Sequence, residues 1–227
     1  TETENAIKAA WKADGKTGFD ARNESLASAT IQINGDFLSS KYSPQRCADG
    51  FEFFYTLMKN FYDEMSKWAK TPVSEGGLGV ECPIAGGTNF ANDDRSDLFL
   101  NAHYDYVARH TYQSHPTTGT EYQVGTAVPN GGSTLGSVGD NTFAAAAQRK
   151  VMGMPYIVTE SLIAEPNIHS VEFNLIASAI YSYQGWSLTA FTYMNKKLDN
   201  RINQINNSFI IMDHPGRFST ITSASLL

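Results

Sequence analysis

Glu160 ends the apolar run in PYIVTESLIAEPN (155–167), so a strand that reads as fully buried finishes by presenting a carboxylate. A carboxylate delivered in that way can serve catalysis, and it can equally cap the loop before Pro166 or pair with a basic residue. His110 and Tyr112 lie at the end of a second strand-like run, YDYVARHTY (104–112), with His115 just beyond it. These histidines have no third His or Asp at ligand spacing, so no metal site is predicted, and they read also as ordinary hydrogen-bonded residues. Cys47 and Cys82 match no zinc or redox spacing, and their pairing stays open. Neither a G-x-x-x-x-G-K-[ST] phosphate loop nor a G-x-S-x-G nucleophile elbow is present. GGSTLGSVGD (131–140) lacks the lysine of a phosphate cradle and reads as a flexible loop; DDRSD (93–97) reads as a solvated helix start. No cofactor is called for.

The bulk properties narrow the partners. The chain has 227 residues and a formal net charge of −6. That balance argues against nucleic acid, which is bound through clustered Lys and Arg. No apolar stretch approaches the roughly 20 residues of a membrane span, and TETENAIKAAW lacks the layout of a signal peptide. The abundance of Asn, Ser, Thr, Gly and Tyr with modest Lys leans toward a secreted or extracellular protein.

The elements that must position these groups follow from periodicity. Residues 1–48 read as a long irregular connection with one short alternating run, ATIQI (29–33). From 49 onward Phe51, Phe54, Met58, Phe61, Met65 and Trp68 recur at helical steps, a core stripe that should lie against a sheet. VECPIA (80–85) reads as a strand ending in GGTN, and a helix is expected from about Asp94 to Tyr104. The strand 104–112 then enters a long loop, 113–139, of the kind that is usually functional or mobile. Asp140 or Asn141 can cap the helix TFAAAAQRK, which Gly153 and Pro155 end. Strand YIVTE, helix SVEFNLIASAIYSYQ (170–184), strand SLTAFTY (187–193) and a closing helix from 215 complete the order.

Alternation of helices and strands implies parallel strands joined by right-handed crossovers. Continuous apolar strands fit burial on both faces. The expected fold is therefore α/β, a (β/α)8 barrel of which residues 49–227 supply half, four strand and helix units, needing a complementary half; a flat doubly wound sheet is the alternative. The strand ends then form a polar, sugar-compatible rim of Thr88, Asn89, His110, Tyr112, Thr159, Glu160, Tyr193 and Asn195.

PYIVTESLIAEPNIHSVEFNLIASAIYSYQGWSLTAFTY resembles the seventh and eighth strands of cellulase-like retaining glycoside hydrolases. HTYQSHP is similar to that clan's His-x-Tyr segment, CPIAGGTN to its fifth strand, and RCADGFEFFYTLMKNFYDEM to the preceding helix. The resemblance covers roughly residues 45–225 and implies that the chain supplies roughly strands five to eight, the complementary half being N-terminal. It implies that Glu160 is the nucleophile, that His110 and Tyr112 keep it ionised and oriented, and that Asn89, His115, Trp186 and Tyr193 bind a carbohydrate substrate. Trp186 reads equally as wall packing. A second carboxyl about 5 Å from the nucleophile must act as acid and base. The clan carries it in an Asn-Glu pair, and Asn23–Glu24 is such a pair, but the polar WKADGKTGFD before it offers no strand to deliver it. The acid/base is thus expected upstream of this chain, which reads as a fragment. The resulting expectation is a retaining hydrolase of a β-linked poly- or oligosaccharide; the alternative is a non-catalytic carbohydrate-binding or structural protein that has lost the acid/base.

Overall fold

The structure, a computed structural model, describes residues 2–12, 16–33, 40–87, 94–114, 133–134, 142–165, 167–188, 209 and 214–226. The chain divides into two compact units, Thr1–Glu81 and Cys82–Leu227. A boundary at 48/49 would have cut a continuous helix, Pro44–Lys70.

The first unit carries helix α1 (Glu2–Ala10) and the long helix α2 (Pro44–Lys70). Ser43 caps α2 by accepting from the Arg46 N–H, Pro44 opens the first turn where no N–H is needed, and Lys67 and Lys70 close the last turn. One ion pair is buried in this unit. Glu24 is 6% exposed and Arg46 2%. Arg46 Nη2 meets Glu24 Oε1 at 2.5 Å and Arg46 Nη1 meets Oε2 at 3.0 Å. The backbone N–H groups of Asp20 and Gln32 donate to the same carboxylate at 2.7 and 3.0 Å. The guanidinium also donates to the carbonyls of Gly18 and Gln32 and lies 4.6 Å from the Trp11 ring. Burial pushes the Glu24 carboxyl up, but the bonds from Arg46, Asp20 and Gln32 outweigh it and hold it below its ordinary range.

The stripe expected to be the core of α2 is split. Phe51, Phe54 and Met58 are half-buried, whereas Phe61, Met65 and Trp68 are exposed. Steps that alternate between three and four residues keep the stripe on one broad face, and it is the N-terminal half of that face that is covered and the C-terminal half that is not.

The second unit is an open parallel sheet with helices against one face. Its strands β1 (Val107–Ser114), β2 (Tyr156–Ile163) and β3 (Ser187–Leu188) lie in chain order, and Ala85 adds a single parallel bridge to Tyr106. Helices α3 (Asp94–Asn101), α4 (Thr142–Ala147), α5 (Phe173–Gln184) and α6 (Pro215–Ala224) accompany it, with a 3-10 turn at Ser170–Glu172. This open three-stranded sheet overturns the expectation of a (β/α)8 barrel. Alternating elements dictate parallel pairing with crossovers, but they are common to open and closed sheets, and the pattern carries no information on closure. VECPIA contributes one bridge instead of a strand, and residues 189–193 of the expected last strand lie outside the described residues.

The core sits between the sheet and the helices. Val107, Tyr156, Val158 and Ile163 pack with Phe143 and Ala146 of α4, Phe173, Ala177 and Tyr181 of α5, and Trp186. Phe143 stacks on Phe173 at 5.7 Å, and Tyr156 meets Trp186 edge to face at 5.1 Å. Buried polar groups on the same side are paired across elements: Arg109 Nη1 to Asp97 at 2.8 Å, Thr111 Oγ1 to the Thr142 carbonyl at 2.9 Å, and Ser161 with the Tyr181 hydroxyl at 2.7 Å.

Glu24→Ala would leave the Arg46 guanidinium buried without its carboxylate and is expected to cost about 3–5 kcal/mol, read as a lower urea midpoint for the unit Thr1–Glu81. Because the folded Glu24 titrates below 4.5, its contribution is full above that pH and fades as pH falls through the lowered value. A loss below about 1 kcal/mol, the worth of a solvated pair, would refute the central role given to it.

Candidate functional site

Side chains alternate across a strand, so every second residue shares a face. On β1 the residues Val107, Arg109 and Thr111 turn to the helices, as their contacts with the core, Asp97 and Thr142 show. His110 and Tyr112 therefore turn to the other face. On β2, Tyr156 faces the helices, its hydroxyl donating to the Ala146 carbonyl at 2.9 Å. Strict alternation from Tyr156 through Val158 would carry Glu160 to the helix side as well.

A register shift prevents this. Arg109 pairs with Val158, but the next residue, His110, pairs with Glu160, which leaves Thr159 as an extra residue in β2. Such a bulge reverses the sense of alternation for everything after it. Ser161 now reaches Tyr181 on the helix side, and Glu160 emerges beside its partner His110. Thr159 itself is tied down, its Oγ1 donating to the Arg109 carbonyl at 3.2 Å. The bulge also lies within the strand, since β2 runs on to Ile163. Glu160 is thus presented from a strand interior and not from a strand end.

The resulting cluster is compact. The Tyr112 hydroxyl donates to Glu160 Oε2, and His110 Nδ1 lies 3.1 Å from the same oxygen. Both contacts fall on Oε2, and among the described residues none falls on Oε1. The side chains of Glu160 and His110 are 30% and 24% exposed, so the group is reachable by a ligand. Phe209, itself buried, braces the Tyr112 ring edge to face at 5.5 Å. Burial pushes the His110 imidazole down, Glu160 pulls it up and Arg109 pushes it down, leaving it below its ordinary value of 6.5. The ring is accordingly neutral at pH 7, in close contact with the carboxylate.

Beyond the end of β2 lies a second, fully engaged carboxylate. Glu165 is 3% exposed, is met by Arg217 Nη1 at 3.3 Å and His214 Nε2 at 3.8 Å, and accepts from the Asn167 N–H at 3.1 Å. It fixes α6 to the turn after β2. Glu172 does similar work, accepting from Ser133 Oγ and from the N–H and Oγ1 of Thr134 at 2.6, 2.7 and 2.9 Å. These two residues of the Gly-rich loop expected to be flexible are therefore held against the turn before α5.

Of the residues singled out in sequence, the structure brings Glu160, His110 and Tyr112 into contact. Trp186 sits in the core at 6% exposure between Tyr156 and Tyr181, before β3, and presents no face to a sugar at this site. Asn89, His115 and Tyr193 lie outside the described residues. Glu24 is committed to Arg46. Sequence reasoning places Thr159 on the rim but not in a bulge, a role that leaves no trace in a run without alternation, and it misses Phe209, which opens the short apolar run 209–212. Among the described residues no cluster of three or more His, Cys, Asp or Glu could hold a metal ion, and no helix is long and apolar enough to cross a membrane.

Comparison with protein families, curated proteins and solved structures finds no match to this chain.

The His110 imidazole, followed by nitrogen chemical shifts in an NMR titration, is expected to titrate below pH 6.5, and lower still in Glu160→Gln, which removes the group that raises it. Stability linked to this ring is full above 6.5 and declines as pH falls through the lowered value. A midpoint at or above 6.5, or one unmoved by the substitution, would contradict the contact.

Proposed function

We propose that the chain belongs to a retaining glycoside hydrolase acting on a β-linked poly- or oligosaccharide, with Glu160 as its nucleophile. The observation that supports this most is the asymmetry of the carboxylate: the Tyr112 hydroxyl donates to Oε2, His110 approaches the same oxygen, and among the described residues none approaches Oε1. In this reading Oε1 attacks the anomeric carbon as the glycosidic C–O bond breaks, and the leaving oxygen takes a proton from a second carboxyl about 5 Å away. Water, deprotonated by that same carboxyl, then releases the sugar and regenerates Glu160. Tyr112 and His110 hold the carboxylate in one orientation, which is the condition for a near-attack geometry. Glu24 is unsuited to be the proton donor, because all its acceptor capacity is spent on Arg46, Asp20 and Gln32. The proton donor in this reading is therefore a carboxyl other than Glu24. The resemblance of the tract around Glu160 to cellulase-like hydrolases supports the same assignment of the nucleophile.

An activated aryl glycoside isolates this step, since dinitrophenolate departs without protonation. The chain, mixed with a panel of dinitrophenyl β-glycosides, is expected to release dinitrophenolate and to carry a glycosyl adduct on Glu160 by mass spectrometry. Glu160→Gln should lower release at least about 1,000-fold, the scale on which loss of a nucleophile acts. Tyr112→Phe should lower it about tenfold or more, a hydrogen bond to a charged group contributing about 1.5–3 kcal/mol. Equal release by the wild type and Glu160→Gln would sink the assignment. Glycan binding without any release would favour a carbohydrate-binding protein instead.

A further inference from the structure

Helix α6 begins on a histidine that does its work only while Nδ1 carries no proton. His214 Nδ1 accepts the Arg217 N–H at 3.2 Å and so caps the first turn. A neutral ring that accepts there carries its proton on Nε2. That nitrogen lies 3.8 Å from Glu165 Oε1, the same oxygen that Arg217 Nη1 meets at 3.3 Å. The oxygen is already committed. Arg217 is 0% exposed, its Nε and Nη2 are buried without a hydrogen-bond partner, and among the described residues its guanidinium meets no oxygen but Oε1. A buried charge is tolerated only against such a partner.

Protonation of His214 alters both contacts at once. Nδ1 becomes a donor facing the Arg217 N–H, and the cap is lost. The ring also becomes a cation at the positive end of the helix, competing with Arg217 for Oε1. Its side chain is 25% exposed and has water to turn to, whereas Arg217 has none. The 3-10 turn Ser170–Glu172 packs on the same end of α6, Val171 lying against Gly216. It brings Glu172, engaged by Ser133 and Thr134, with His169 Nδ1 at 3.9 Å from Glu172 Oε2. Helix α5 brings no group that titrates between about pH 5 and about pH 8. The later part of α6 is tied differently, since Asn174 Nδ2 donates to the Arg217 carbonyl and Thr220 Oγ1, each at 3.0 Å, and neither contact titrates. We propose that His214 is a proton-operated latch, which when neutral holds the first turn of α6 against the turn after β2 and when protonated releases it. The latch fastens the segment that leaves the strand bearing Glu160, because Glu165 stands two positions beyond Ile163, the last residue of β2.

Amide hydrogen exchange of the intact 227-residue chain, followed by NMR between about pH 8 and about pH 5, tests the proposal. The protection factors of the Arg217 and Phe218 N–H groups should fall about fivefold or more, the scale on which loss of a cap acts. The midpoint should equal that of the His214 ring titrated in the same sample, and Ser225 at the far end of α6 should keep its protection. His214→Asn, which can accept from the same N–H and does not titrate, should retain protection throughout; His169→Asn should lose it as the wild type does. Nitrogen chemical shifts at about pH 8 should show the wild-type His214 ring protonated on Nε2 and bare on Nδ1. Protection at Arg217 that stays level or rises as His214 takes up its proton overturns the proposal, as does a loss that persists in His214→Asn. A ring protonated on Nδ1 at the higher pH, or a loss abolished by His169→Asn, overturns it equally.

Discussion

One extra residue in β2 governs the placement of Glu160. Thr159 interrupts the pairing between β1 and β2, and the face presented by each later side chain is exchanged. Without it Glu160 would be carried into the apolar layer beneath the helices, where an ionised carboxylate with no cation is not tolerated. With it Glu160 stands beside His110 and within reach of Tyr112. The bulge is stabilised from both sides: Thr159 bonds to the Arg109 carbonyl, and Arg109 is itself held by Asp97 beneath the sheet.

The helix side supplies the rigidity that such a site requires. Thr111 bonds to Thr142 and Ser161 to Tyr181, so each strand is fastened to a helix by the residue next to one in the cluster. Truncating either hydroxyl would leave its partner unsatisfied in a buried layer, which is why buried polar pairs specify register more sharply than apolar contacts do. Burial also lowers the His110 imidazole, keeping it neutral beside the carboxylate. The fold thus does the positioning from one face, and the chemistry is exposed on the other.

Sequence patterns carry part of this. Helices over 170–184 and from 215, the parallel sheet and the runs bearing Glu160, His110 and Tyr112 can be read from periodicity, because each is an uninterrupted local signal. Closure is different. An open sheet and a barrel share the same alternation of elements, so the (β/α)8 expectation fails on a global property with no local trace. Trp186 follows a turn-like Gly185, whose φ of 63° ends α5, and a tryptophan after such a turn can face either way; here the core claims it. Residues 1–48 look irregular because their organising contact, Glu24 with Arg46, joins positions 22 residues apart and depends on no periodicity. The apolar positions of α2 read as one stripe, and only burial reveals that it is covered at its N-terminal half and exposed beyond it.

The placement of Glu160 is most directly tested by nuclear Overhauser contacts from its γ protons in the intact chain. The bulge predicts contacts to the rings of His110 and Tyr112, while the β protons of the neighbouring Ser161 contact the Tyr181 ring. Contacts from Glu160 to Tyr181 or Phe173, with Ser161 facing His110, would show an unbroken alternation and contradict the account.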